Sequence, residues 1–275
     1  MNQHAAEVAR GERFAFGKNW RRFLERLNDE RIAAAEASLR EILEVTDLKG
    51  KSFLDIGSGS GLFSLAARRI GARVHSFDYD PQSVACALVL KHRYFPDDAG
   101  WSIEESSVLD TNYMRSLGEF DVVYSWGVLH HAGALWKALS NAIIPVRNGG
   151  KLAIAIYNDQ GSTSRRWAAT KRFYCSGNLN KALVIGTYMP FTIFRGLMGD
   201  LLHRRNPLKL YTEYGKSRGM SRMTDWADWL GGYPFEVAKP EAVFDFCREQ
   251  GFSLRKLATA GGSHGNNQFV FEKTT

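Results

Sequence analysis

Three glycines and a carboxylate stand close together early in the chain, in Phe53-Leu54-Asp55-Ile56-Gly57-Ser58-Gly59-Ser60-Gly61. Glycines at 57, 59 and 61 let a backbone turn sharply and approach a ligand closely. A helix that starts just after them presents free N–H groups. Nicotinamide enzymes place a GxGxxG turn at the same point of their fold, but here position 62 is Leu and that spacing fails. Asp55 precedes the first glycine by two residues, where its charge would repel a pyrophosphate. It suits the ammonium of a methionine moiety, met directly or through water. Asp78 follows 21 residues after Gly57, and a carboxylate there can accept hydrogen bonds from both hydroxyls of a ribose. Asp80, just before Pro81, reads as a helix cap. Backbone groups near Val108 and Leu109, with the side chain of Asp110, can read an adenine edge. Asp110 serves equally well as a cap.

A second polar group lies further on, in Ser125-Trp126-Gly127-Val128-Leu129-His130-His131. Ser125 and Trp126 are expected beside the same ligand, although Trp126 is equally a core residue. Histidine titrates near neutrality, so His131, and after it His130, are candidates for a general base that takes a proton from a hydroxyl; both can also be framework residues. Tyr157 and Asn158 end another apolar run and are expected to face the same region. His264, in the glycine-rich AGGSHGN, is a further polar candidate whose bland alternative is an exposed turn.

The elements that must position these groups alternate in type. KSFLDI, RVHSFDYD, WSIEESSVLD, FDVVYSW and GGKLAIAIYN read as strands, and LFSLAARRI, PQSVACALVLKHRYF and ALWKALSNAIIPV as the helices between them. That alternation implies a parallel sheet with right-handed crossovers. Ligands in such sheets bind beyond the carboxyl ends of the strands, where the loops above fall. Before the first strand, Trp20, Phe23, Leu24, Leu27, Ile32, Ala35, Leu39 and Ile42 recur near a 3.6 period and predict one or two helices. After residue 159 the alternation stops. It resumes with the helix PEAVFDFCREQGF and the strands SLRKLATA and NQFVFEK. Three parts are expected: a helical arm over 1–50, a sheet domain over 51–159 and 238–275, and a helical cap over 160–237.

The chain of 275 residues is 44% hydrophobic and 24% charged, the balance of a globular protein. Its net charge of +7 is uneven. Residues 160–222 hold twelve Lys or Arg against Asp200 and Glu213, a net +10 that leaves −3 for the rest. Arg165 and Arg166 lie among aromatics there, as do Arg218 and Arg222, and such pairs suit a flat or anionic group. The segment reads as a substrate cap, with a solvated basic face or a nucleic-acid patch as alternatives. Its apolar run contains Pro190, Arg195 and Asp200, poor for a membrane span and better for an interfacial helix. Cys86, Cys175 and Cys247 lack CxxC spacing, so neither zinc nor any other metal is expected. With no apolar run of signal-peptide length at the start, a reducing cytoplasm is the expected home.

DIGSGSG, FDYD, SSVLD, SWGVLHH and GGKLAIAIYN occur in the order found in class I S-adenosylmethionine (SAM)-dependent methyltransferases, and the chain resembles the bacterial branch related to ubiquinone-pathway O-methyltransferases. The likeness covers about residues 51–157, resumes at Pro240, and extends to FAFGKNW at 14–20. It implies a Rossmann-like seven-stranded doubly wound sheet in the order 3-2-1-4-5-7-6, with strand seven antiparallel. It also implies SAM contacts at Asp55, Gly57, Gly59, Asp78 and 108–110; Gly61 belongs to the same loop. A small-molecule acceptor methylated on oxygen is the expected reaction. Methylation of nitrogen or carbon, of tRNA, and a non-catalytic SAM-binding role are the alternatives.

Overall fold

The computed structural model describes residues 3–202, 230–261 and 265–274, the side chains of 199–202 excepted. Two compact units divide it: residues 15–164 with 235–275, and residues 1–14 with 165–234.

The larger unit is built on seven strands in the order β3-β2-β1-β4-β5-β7-β6. They are β1 (Ser52–Ile56), β2 (Arg73–Asp78), β3 (Trp101–Glu105), β4 (Phe120–Trp126), β5 (Val146–Tyr157), β6 (Phe252–Ala258) and β7 (Asn266–Lys273). The first five pair in parallel. β7 runs antiparallel between β5 and β6, so the order and the direction of strand seven are as expected. Alternation along the strands divides the core. Leu54, Ile56, Val123, Leu152 and Ile154 pack on one face, and Phe53, Val122, Tyr124, Ala153 and Val270 on the other.

Six helices of this unit matter for the site. α2 (Gly17–Leu24) and α3 (Asp29–Leu43) are the two helices within the one or two expected before β1. Asn28 caps α3, its Oδ1 accepting from the Arg31 amide at 3.0 Å. Ile32, Ala35, Leu39 and Leu43 then bury one stripe of α3 against the second core, with Ile32, Leu39 and Leu43 each worth about 1.5–3 kcal/mol as removed apolar surface. Residues from Ala15 onward, α2 and α3 among them, belong to the sheet unit. α4 (Leu62–Arg69) follows the glycine loop, α5 (Pro81–Tyr94) follows β2, and α6 (Thr111–Ser116) is the short helix that the reading of Asp110 as a cap implies. α7 (Leu135–Ala142) follows β4 after a tight 3₁₀ turn at Leu129–His131.

In the smaller unit, α1 (Gln3–Ala9) precedes α8 (Ser162–Cys175), nearly all of which lies here, and α9 (Asn178–Leu202). Tyr174, Val184 and Leu230 form its own small apolar cluster, with Phe14 and Trp167 packed against them. Lys171 on α8 is buried. α10 (Pro240–Glu249) returns to the sheet unit. Among the described residues, no helix is long and apolar enough to cross a membrane.

Candidate active site

The glycine loop is shaped by backbone bonds to β2. The amides of Gly57 and Ser58 both donate to the Phe77 carbonyl, at 2.9 and 3.1 Å. The Gly59 amide donates to Asp78 Oδ2 at 2.8 Å. Gly57 has φ +74°, and a Cβ on it would lie 2.3 Å from Val128 Cγ1, so the bare backbone is what lets the loop after β4 close in. Gly61 has φ +80° and precedes α4 directly. A Cβ on Gly59 would meet the indole of Trp20 at 3.0 Å, a crowding by protein that the sequence did not announce.

Asp55 is buried, and Ser64 Oγ donates to its Oδ2 in a short hydrogen bond. Burial pushes its carboxyl up to about 7, the Asp78 charge pushes the same way, and the Ser64 bond opposes both. Tyr124, its register partner on β4, has a buried hydroxyl held well above its ordinary value by burial, so it stays neutral at any working pH. Asp78 also accepts from the Asp80 amide at 2.8 Å through Oδ1.

Asp80 caps α5 as expected, its Oδ1 accepting from the Gln82 amide at 2.9 Å. Asp110 caps α6, accepting at Oδ1 from the Asn112 and Tyr113 amides at 3.0 and 3.1 Å. Val108 is buried and its carbonyl accepts from Asn141 Nδ2 at 2.8 Å; the Leu109 amide donates to Ser107 Oγ at 3.1 Å. Ser125 is fully buried, its hydroxyl donating to the Ile56 carbonyl at 3.1 Å. The Trp126 ring stacks on Tyr124 with centroids 5.4 Å apart and packs against the second core. Both of these side chains are thus engaged in the sheet.

Beyond β4 and β5 the polar and aromatic groups converge. The His130 ring is fully buried, 3.9 Å from the Tyr157 ring, and its Nδ1 accepts from the Tyr157 amide at 3.3 Å. His131 is half-buried, edge-on to Tyr157 at 5.5 Å and tilted against Phe16 at 5.1 Å. Phe235 covers Tyr157 at 5.2 Å. Asn158 serves the strand next door: its amide donates to the Gly265 carbonyl at 3.0 Å and its Oδ1 accepts from Asn267 at 3.1 Å.

Two further residues of this region gave no signal in the sequence. Glu236 binds the loop that carries the histidines at both ends: its amide donates to the His130 carbonyl at 2.9 Å and its Oε2 accepts from the Leu135 amide at 2.9 Å. Burial raises its carboxyl above the usual range, opposed by the bonds from Leu135 and Gly133. Asn266, register partner of Tyr157, has a buried Oδ1 without a hydrogen-bond partner among the described residues, as do Ser58 Oγ in the glycine loop and Gln82 Oε1 after β2. Buried polar atoms normally find partners. Three unmet ones, on the glycine loop, the first turn of α5 and the start of β7, fit a polar ligand such as a nucleoside with an amino-acid tail. Arg165 and Arg166 are exposed on α8 and belong to the smaller unit. Arg218, Arg222 and His264 lie outside the described residues.

The methyltransferase-domain family matches residues 20–180. With the sheet order and glycine loop above, the chain belongs to that family, the class I SAM-dependent methyltransferases, whose cofactor is SAM. A ubiquinone biosynthesis O-methyltransferase of Methylobacterium is 29% identical over 165 residues, which cover 56% of this chain and 64% of that relative, just under two thirds of its length. A tRNA U34 carboxymethyltransferase of Pseudomonas savastanoi is 36% identical over 87 residues, 31% of this chain and 26% of that one. Among solved structures, magnesium protoporphyrin IX methyltransferase of Synechocystis with bound S-adenosylhomocysteine (SAH) superposes at a TM-score of 0.55, with 12% identity and 94% of each chain covered. The N-methyltransferase NodS of Bradyrhizobium japonicum with bound SAH reaches 0.51, with 15% identity, over 95% of this chain and 100% of that one. At these identities the two structures speak for the fold.

Proposed function

We propose that this chain transfers the methyl group of SAM to a hydroxyl of a small-molecule acceptor. The observation that carries the reading is the convergence of half-buried His131 with Phe16, Tyr157 and Phe235 beyond β4 and β5, beside a loop of the shape described around Asp55. When bound, the cofactor supplies an electrophilic methyl on a sulfonium. Asp55 holds its ammonium and Asp78 its ribose, with the backbone near Val108 and Leu109 against the adenine. The aromatic walls align the acceptor, and alignment alone can supply about 7–11 kcal/mol of the barrier. The bound cofactor would supply the methyl group to the acceptor oxygen and be left as SAH, and His131 would take the hydroxyl proton, a contribution of roughly 10²–10⁴-fold. His130 orients the wall: it is fully buried and its Nδ1 is engaged by the Tyr157 amide.

His131→Ala is therefore expected to lower turnover at least about 100-fold with SAH affinity unchanged in calorimetry. His130→Ala is expected to cost stability and activity together. If both variants keep near-full turnover of SAM with an acceptor recovered from cell extract, the proton-transfer role fails and an amine or ionised acceptor takes its place.

The basic stretch over 160–237 is read as the acceptor-selecting cap, for a molecule carrying negative charge or a lipid phosphate. Neutralising Arg165 and Arg166 together to Gln should raise the acceptor KM more than about tenfold, since a lost charge-assisted bond costs about 1.5–3 kcal/mol, while SAH affinity holds. The relation to a tRNA-modifying enzyme makes tRNA the second reading. A steep fall of binding to bulk tRNA with rising salt would favour it over the small molecule. Leu179, Leu183, Phe191 and Phe194 are exposed on α9, which fits contact with the inner membrane face, tested by co-sedimentation with anionic vesicles. Three free cysteines, two of them buried, fit a reducing cytoplasm.

A further inference from the structure

Gly127 follows β4 with φ +77°, a conformation that favours glycine. Its amide makes the last bond on this edge of β5, donating to the Ala155 carbonyl at 3.2 Å. The chain then leaves the sheet as the turn that bears His130 and His131. The next carbonyl along that edge of β5 belongs to Tyr157. The Ala238 amide takes it at 3.0 Å, and the Asp159 amide donates to the Ala238 carbonyl at 3.2 Å. Asn158 and Ala238 form a parallel bridge. The stretch 235–238 thus stands in the row that β4 vacates, and it satisfies backbone groups that would otherwise lack partners.

The two side chains at the start of this stretch bear on the site. Phe235 covers the Tyr157 ring. Glu236 spans the histidine turn. Its amide donates to the His130 carbonyl and its carboxylate accepts from the Leu135 amide, both at 2.9 Å, and the Gly133 amide donates to the same carboxylate. His131 lies inside that span. Leu135 opens α7, and Ala134 before it offers no side-chain cap. Glu236 supplies the cap from 101 positions away, with its charge where a helix N-terminus favours it. α10 begins just beyond, and its Val243 and Cys247 are buried in the first core, so the stretch is tied to a packed helix.

We propose that Glu236 is a positioning residue for proton transfer. It touches neither cofactor nor acceptor. It acts through the turn, holding the His131 ring edge-on to Tyr157 and against Phe16. This rests on the reading of His131 as the base. A base must lie within hydrogen-bond reach of the proton it takes, and a misplacement of about 1 Å can cost about 100-fold.

The test uses the full chain. It follows SAM turnover on the acceptor recovered from cell extract, SAH affinity by calorimetry, and the imidazole proton resonances of His131, assigned with His131→Ala. Glu236→Ala is expected to lower kcat at least about tenfold, with acceptor KM and SAH affinity within twofold of wild type. It should also shift the His131 resonances, which report the neighbouring rings of Tyr157 and Phe16. Glu236→Gln keeps an oxygen for the Leu135 amide and should recover much of both effects. Asn28→Ala is the control: it removes the cap of α3, outside the site, so it should cost stability in urea and leave kcat and the His131 resonances unchanged. If Glu236→Ala does not fold, Glu236→Asp replaces it, because a carboxylate drawn back by one methylene pulls on the turn and should lower kcat with a shift of the same resonances. A kcat within twofold of wild type, an unmoved His131, or an equal fall of kcat in Asn28→Ala overturns the positioning role while the base reading stands. Near-full turnover in His131→Ala overturns the base reading and this role with it.

Discussion

Gly57→Ala is expected to unfold the cofactor loop rather than merely loosen it. The residue has φ +74°, and the added Cβ would lie 2.3 Å from Val128 Cγ1 and 3.0 Å from its Cβ. The left-handed backbone costs an alanine roughly 1–2 kcal/mol, and overpacking adds about 1–3 kcal/mol, together a large part of an ordinary domain's 5–15 kcal/mol. Gly118 supplies the control. Its φ is +75°, with nothing within 4 Å of the added atom, so Gly118→Ala should show the backbone cost alone. Urea denaturation of the two variants separates clash from strain. Relief of the clash must push Val128, and with it the turn bearing His130 and His131, so SAH affinity and turnover should both fall by more than about 100-fold, in line with several kcal/mol of displacement. Val128→Ala on the Gly57→Ala background removes both γ-methyls and should restore part of the loss. Equal destabilisation at 57 and 118 would show that the two loops do not press on each other.

The glycine loop and its carboxylate were legible because their chemistry is local. Gly57, Gly59 and Asp55 sit within five residues, and a β–α alternation tells where such a turn must lie. Asp80 was legible as a cap because capping is settled by its nearest neighbours. Glu236 was not: its bond to Leu135 spans 101 positions, and a single carboxylate in a segment without periodicity carries no mark of a distant partner. The same holds for Trp20 over Gly59 and for Asn266 opposite Tyr157, contacts made by the fold rather than by spacing. Periodicity did reveal the apolar stripe of α3, but a stripe says only that a face is covered, not by what. The structure supplies the partner: α3 packs on the face of the sheet that carries Phe53, Val122 and Tyr124. Trp126 and Ser125 show the reverse limit. Their place at the end of β4 was read correctly, while the direction of their side chains, into Tyr124 and the Ile56 carbonyl, depends on strand pairing.

Asp55 should make both stability and cofactor affinity depend on pH, in opposite directions. Burial, aided by the charge of Asp78, raises its carboxyl to about 7, from an unfolded value of about 3.9. A group raised in the folded state contributes stability that is fully present below the unfolded value and is lost as pH rises through the folded one. The ligand-free protein should therefore lose stability from this group between about pH 4 and 7. An ammonium beside the carboxylate favours the ionised form, so SAH should bind more tightly as pH rises towards 7, by up to about tenfold per pH unit, and level off above it. Binding below pH 7 should then release a proton, visible as a buffer-dependent enthalpy in calorimetry. Asp55→Asn keeps the shape, removes the titration and leaves the ammonium with a neutral partner. Its thermal midpoint should lose the downward trend, and its SAH affinity should fall about 10–150-fold at pH 8, the equivalent of a charge-assisted bond, with no dependence on pH between 5 and 8. Tyr124 does not titrate in that window, because burial holds its hydroxyl far above it. Wild-type affinity that is flat across pH 5–8, or that persists in Asp55→Asn, would show that this carboxylate does not hold the cofactor's ammonium and that Asp55 serves only to bind Ser64 at the start of α4.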